Sequence, residues 1–347
     1  MNIIENKPLS ELTTIRLGGN ALYLFEINEI DDIEKAYSLA RDKQLATYVI
    51  GGGSNIIGHD EGYNGAILLN KLKGIKQLDD NLNDDETTVR VMSGEVLDDI
   101  CDFTAKRGYT GMEALSSIPG TVGGAVMQNS GAYGQQLSDC LVSVSVYDTE
   151  IGEIVELSKD ELGFGYRTSI FNSTARGRYF VISATVKLIK GEIEGELFQS
   201  LQDYLDQHEV EDRAPFAIRR AVMDIRAHKL PDPAVEASAG SFFKNYSVNE
   251  ADIPELKSKH SGIPIFNIGG NWEIASGWLI EKAGLKGQTL HGMRVSDKAA
   301  LILINDSASS YADLAAARAE IIATVQEKFG FTLEQEPEEI LVSQTIS

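Results

Sequence analysis

Cysteine is nearly absent: Cys101 and Cys140 are the only two in 347 residues. Two thiols exclude a disulfide framework and a cysteine-built metal site. No C-x-x-C or H-E-x-x-H pattern occurs and the five histidines are scattered, so no metal is expected. Positive charge is scarce too. Lys and Arg number 31 against 52 Asp and Glu, a net charge of −21. Such a chain repels nucleic acid and anionic membranes overall, and an anionic ligand would need locally gathered cations. No apolar run is long enough to cross a bilayer. Residues Met1 to Asn6 lack a basic region followed by an apolar run. A soluble, cytoplasmic protein is expected, with no protein partner readable.

What is present is an ordinary globular composition, 43% hydrophobic and 24% charged, long enough for roughly two or three domains. Periodicity supplies the elements. A βαβ segment comprises strands at 21–27, 46–50 and 65–70 around a helix at 31–42. Next come a strand at 88–92, a helix near 96–107 closed by Gly108, and strands at 142–147 and 179–189. Residues 194–228 read as two helical pieces broken near Pro215. Further on, a short helix is expected at 277–283, a buried strand at 300–305 and a long helix at 309–328.

Two glycine-rich segments could carry chemistry. Gly51-Gly52-Gly53-Ser54-Asn55 follows a predicted strand. It can cradle phosphate with backbone N–H groups or simply form a tight turn. The Rossmann pattern fails, because its third glycine falls on Ile56, and no P-loop occurs. The second segment runs Ser117-Ile118-Pro119-Gly120-Thr121-Val122-Gly123-Gly124-Ala125 and on through Asn129, Gly131, Ala132 and Tyr133 to Gly134. So many small residues suit a backbone lying along an extended polar ligand. Two such loops in two lobes suggest a dinucleotide between them.

Three other features stand out. Arg167, among apolar neighbours after Tyr166, needs an anionic partner, either a ligand or a structural carboxylate. Ser241, between Gly240 and Phe242-Phe243, is either a dry, rigid hydroxyl able to give a proton or part of a capped turn over a Phe-Phe contact. The acidic run from Leu333 to Ile340 reads as a solvated tail, with room for Glu336 to turn inward.

Taken together, the segments Leu12 to Gly19, Gly51 to Asn55, Ile118 to Gly134, Gly165 to Phe171, Lys229 to Pro233, Gly240 to Asn245 and Gly277 to Ile280 resemble the UDP-N-acetylenolpyruvoylglucosamine reductase family. The match holds in family order across nearly the whole chain. The resemblance implies an α+β fold: an FAD-binding module of the vanillyl-alcohol-oxidase/p-cresol-methylhydroxylase type, in two α/β lobes (1–70 and 71–215), and a substrate domain (216–347). The stretch between Arg167 and Lys229 looks like the family's longer type, with an added substrate-covering segment.

The resemblance also implies FAD and NADPH as cofactors and a small sugar nucleotide as substrate, in peptidoglycan precursor synthesis. By motif, Ser241 would donate the proton, Arg167 and Glu336 would flank the substrate carboxylate, and Tyr166, Lys229, Asn245 and Tyr204 would contact substrate. Some positions depart from the family. Phe198 stands about where a tyrosine is usual, with Tyr204 as a substitute. Pro337-Glu338 replaces Val-Arg, which leaves Glu338 as an alternative to Glu336. Ala299 or Ala300 stands where Gln or His is common. A flavin oxidase of the same fold, or a flavin-binding protein without catalysis, is the competing reading.

Overall fold

The computed structural model describes residues 1–78, 85–268 and 270–340; the end of the expected substrate domain, 341–347, lies outside them. The first lobe is a sheet in which Asn20–Ile27, Tyr63–Asn70 and Ala46–Ile50 run parallel, in that spatial order. Helix Asp31–Asp42 makes the crossover. Ile33, Ala36, Tyr37 and Ala40 are buried along it, the spacing of one helical face. Strand Asn2–Pro8 adds antiparallel at the edge. Its polar, largely exposed residues carry little of the apolar alternation that betrays a strand.

The second lobe is an antiparallel sheet. Its long central strand, Tyr179–Lys190, lies between Leu141–Asp148 and Glu86–Met92. Helices Leu97–Ala105 and Val122–Gln128 cover it, and their apolar faces join one core with Val89, Val144 and Val186. The second helix was hidden in the glycine-rich segment, since Gly123 and Gly124 lower its propensity. Thr121 caps it, accepting from Gly124 N–H, and Asn129 ends it at φ 45°.

Pro215 breaks the helical stretch by starting a new helix, Pro215–Lys229, at its first turn. That helix shares a small core with Gln199–Gln207 through Leu201, Leu205, Val222 and Ile225. Arg219 pairs with Asp98 and Asp102 of the second lobe. These contacts tie the helix, which begins at the boundary expected between 215 and 216, to the second lobe.

The C-terminal region holds the sheet Ser238–Ser241, Ile302–Asn305, Met293–Val295, Thr289–Leu290. Behind it lies helix Tyr311–Phe329, capped by Ser310 and Asp313 at one end and Gly330 at the other. The acidic run is not a solvated tail. Strand Glu338–Ile340 returns to the first lobe and pairs in parallel with Ile56–Gly58. Leu333 and Ile340 are both buried and carry Glu336, Glu338 and Glu339 inward, while Glu334 stays exposed.

Candidate active site

Three backbone segments converge where the two lobes meet the C-terminal region. A Cβ on Gly51 would lie 2.2 Å from Thr121 Oγ1, and one on Gly52 would lie 2.9 Å from Gly120 Cα. The first glycine run is therefore required by contact with the second loop. Gly53 C=O is met by the other early motif, where Thr14 N–H donates to Gly53 O at 3.1 Å. Thr14 Oγ1 donates onward to Ser238 O at 2.6 Å, so that motif joins the first lobe to the C-terminal region.

Around this junction opens a cavity of about 660 Å³. Its polar wall is Gly51 to Asn55 together with Ser117 to Thr121, Gly123, Gly124, Ala125 and Gly131. Its apolar wall includes Val49, Met127, Tyr179, Val181 and Leu230. Ser241, Arg167 and Glu336 line it too, so the three proposed catalytic positions meet the two glycine loops in one space. Asn55 Nδ2 is buried there with no hydrogen-bond partner. A polar, backbone-rich cradle beside a flat apolar wall, with an orphaned amide, fits FAD: polar loops for its diphosphate and apolar surface for its ring.

Ser241 ends strand Ser238–Ser241. Behind it Phe242 and Phe243 are fully buried, ring centroids 5.2 Å apart, and Phe242 N–H donates to Leu301 O at 2.8 Å. The Phe-Phe core contact therefore exists, and it immobilises a serine that faces the cavity.

Arg167 sits at the tip of a tight turn closed between Gly165 and Thr168, with φ at 53°. That left-handed backbone is costly for a bulky residue and marks a held conformation. Ser117, Asn129 and Tyr133 share it, at 58°, 45° and 48°. Arg167 Nη1 donates to Gly131 O at 3.3 Å. Its Nε lies 3.0 Å from Glu336 Oε1, an ion pair by distance, yet the N–H is not aimed as a hydrogen bond. Burial pushes the Glu336 carboxyl above its ordinary pKa, against the pull of Arg167 and Lys244.

The other expected residues divide. Tyr166 lies beside Arg167, the guanidinium 5.4 Å from its ring, and burial pushes its phenol up to about 12. Asn245 is oriented on both sides: Nδ2 donates to Glu273 Oε2 at 3.1 Å and Oδ1 accepts from Ser276 N–H at 3.3 Å. Asn129, Ala132 and Tyr133 do not line the cavity. Asn129 instead ties the loop together, donating to Gln136 and to Gly165 O and accepting from Ser138 N–H. Lys229 is exposed at the end of its helix. Tyr204 donates its hydroxyl to Asp224 and stacks on His208, and it does not line the cavity. Phe198 itself is 42% exposed and meets the Tyr133 ring edge-on. Glu338 is engaged by Arg176 at 3.0 Å and by the Tyr48 hydroxyl at 3.3 Å.

Sequence reasoning missed Glu273 and Arg226. Glu273 is 1% exposed, and burial raises its pKa, against the Asn245 hydrogen bond and Arg167. Arg226 lines the cavity with a buried, unpartnered Nε, and burial lowers its pKa. It stands three residues before Lys229, inside a helix whose local pattern carried no sign of a cavity. Lys298 also lines it, its ammonium donating to Ala227 O and Leu230 O.

A dinucleotide cradle joined to a cationic, carboxyl-rich pocket defines a flavin-dependent oxidoreductase. In agreement, the family model "FAD binding domain" matches residues 21–158, and "UDP-N-acetylenolpyruvoylglucosamine reductase, C-terminal domain" matches residues 232–340. A UDP-N-acetylenolpyruvoylglucosamine reductase from Alcanivorax borkumensis is 34% identical over 96% of this chain and 95% of its own. One from Shewanella baltica is 38% identical over 85% and 84%. The crystal structure of the Thermus caldophilus reductase shares the fold, with TM-score 0.64 at 24% identity over 97% of this chain and 98% of that one. The chain belongs to the UDP-N-acetylenolpyruvoylglucosamine reductase family. Among the described residues no helix is long and apolar enough to cross a membrane.

Proposed function

We propose that the protein reduces UDP-N-acetylglucosamine enolpyruvate to UDP-N-acetylmuramate with electrons from NADPH, a step of peptidoglycan precursor synthesis in the cytoplasm that serves cell shape and division. The observation that carries this reading is the meeting of Ser241, Arg167 and Glu336 with both glycine loops in one cavity. FAD, held by Gly51 to Asn55 and Ser117 to Ala125, supplies hydride chemistry when bound. Residues 1–70 and 71–215 would be its two lobes, and the remainder the substrate domain.

The chain's own residues do the rest. Arg167, fixed by its turn and by Gly131, is a preorganised cation for the negative charge that develops on the substrate carboxylate. Removing such a group costs about 3 kcal/mol of transition-state stabilisation. Glu336 beside a substrate anion is consistent only with a proton on its carboxyl, and burial favours that form. A protonated Glu336 can donate a hydrogen bond to the same carboxylate. Ser241, backed by two immobile rings, gives its hydroxyl proton to the substrate carbon. Asn245, held by Glu273 and Ser276, and Tyr166 orient the sugar nucleotide. Lys229, at the helix end, meets its diphosphate from the solvent side.

The test is anaerobic. FAD-loaded protein is reduced with one equivalent of NADPH, the enolpyruvyl sugar nucleotide is added, and flavin absorbance is followed. Prompt reoxidation with formation of the lactyl ether is expected. A flavin that stays reduced until air is admitted would overturn the reading in favour of an oxidase.

A further inference from the structure

In the extended C-terminal run alternate side chains leave on opposite sides. Glu334, Glu336 and Glu338 face one way, and each meets a cation from elsewhere. Lys244 Nζ lies 3.6 Å from Glu334, Arg167 Nε 3.0 Å from Glu336 and Arg176 Nη2 3.0 Å from Glu338. Gln335 and Glu339 face the other way, where Arg318 donates to both. Arg167, Arg176, Lys244, Glu336 and Glu338 are among the residues that wall a second cavity of about 320 Å³ beside the first.

The three pairs are not equivalent. Lys244 and Glu334 are both exposed, at 38% and 76%, so solvent screens them. In the third pair Arg176 is 51% exposed but Glu338 only 18%, and Glu338 accepts from the Tyr48 hydroxyl as well. Its N–H donates to Asn55 O at 3.0 Å, while Glu336 N–H donates to Phe242 O at 2.9 Å. Pro337 stands between these two anchors, its ring fixing one backbone angle. A shift at Glu338 is therefore passed to Glu336. The loop that carries Arg167 also carries Arg176, so one loop grips one strand at two neighbouring acids.

We propose that Arg176 and Glu338 are a positioning pair, fixing the register in which the C-terminal strand offers Glu336 to Arg167. The proposal rests on the reading of Glu336 given above, and its test separates the two. Arg176→Glu, Glu338→Arg and the double charge swap are compared. Each is read by hydrogen exchange at the Glu336 and Glu338 amides, by FAD affinity, and by the rate at which the enolpyruvyl sugar nucleotide oxidises the reduced flavin. Each single reversal is expected to speed exchange and, with FAD saturating, to slow oxidation by about tenfold, and the swap to restore both to within about threefold.

A swap no better than the worse single variant, or single variants with unaltered exchange, would overturn the pair. Exchange that follows the swap while oxidation does not supports the pair and overturns the catalytic role of Glu336 instead. Should a reversal not fold, Arg176→Gln, Glu338→Gln and their combination replace it. Non-additive exchange then supports the pair, and additive exchange overturns it.

Discussion

The two ends of the main cavity are built by opposite means. The end proposed for the cofactor is backbone: glycines 51, 52, 120, 123 and 124, with one buried amide, Asn55, left unpartnered. The end proposed for the substrate is side chain and charge: Arg167, Glu336, Arg226 and Lys298, from distant parts of the chain, with the buried Glu273 behind Asn245. A backbone cradle is local, because consecutive residues make it. A charged pocket is global, because its members come from segments far apart in the chain. Substitutions at the two ends should therefore fail in different ways.

The largest effect is expected from Ser241→Ala. Oxidation of the reduced flavin by the enolpyruvyl sugar nucleotide should slow by about 10³-fold, while reduction by NADPH and FAD affinity stay as they are. Stopped-flow measurement of the two half-reactions separates them. Equal loss in both would merge the two ends of the cavity into one. Gly51→Ala should show the converse. Its Cβ would meet the Thr121 hydroxyl at 2.2 Å and push the loops apart, weakening FAD binding by about tenfold or more. The chemistry should be intact once flavin is saturating, and titration by fluorescence quenching reads the shift.

Glu273→Gln sharpens the contrast through pH. Burial raises the Glu273 pKa, so the folded state holds a proton that the unfolded chain releases at lower pH. Its contribution is full below the ordinary carboxyl pKa and is lost as pH rises through the raised one. The variant lacks that loss. Its stability relative to the parent, from urea midpoints, should increase as pH rises from the ordinary carboxylate range towards neutrality. A flat difference would mean that Glu273 stays ionised beside Arg167. The smallest effect belongs to Tyr204→Phe. With its hydroxyl given to Asp224, the KM for the sugar nucleotide should move less than about twofold.

The same contrast explains what the sequence disclosed. Helix Asp31–Asp42 and strand Ala46–Ile50 were legible to the residue, because apolar periodicity carries them. The glycine loops were legible as a cradle. The helix inside the second one was not, since its stability comes from the Thr121 cap and burial rather than propensity. Arg167, Ser241 and Glu336 were marked by context and fixed by resemblance. Glu273 and Arg226 left no local trace, being ordinary charges on a strand and a helix until the fold buries them. The acidic run misled for the same reason: its partners Arg167, Arg176 and Arg318 lie far away in sequence.

The C-terminal strand also sets an order of events in time. Tyr48 and Glu338 touch across 290 positions, and long-range pairings of this kind close late in folding. During synthesis both lobes exist before Glu336 is made. The pocket in which Arg167 meets Glu336 is thus closed only once that strand has reached the first lobe.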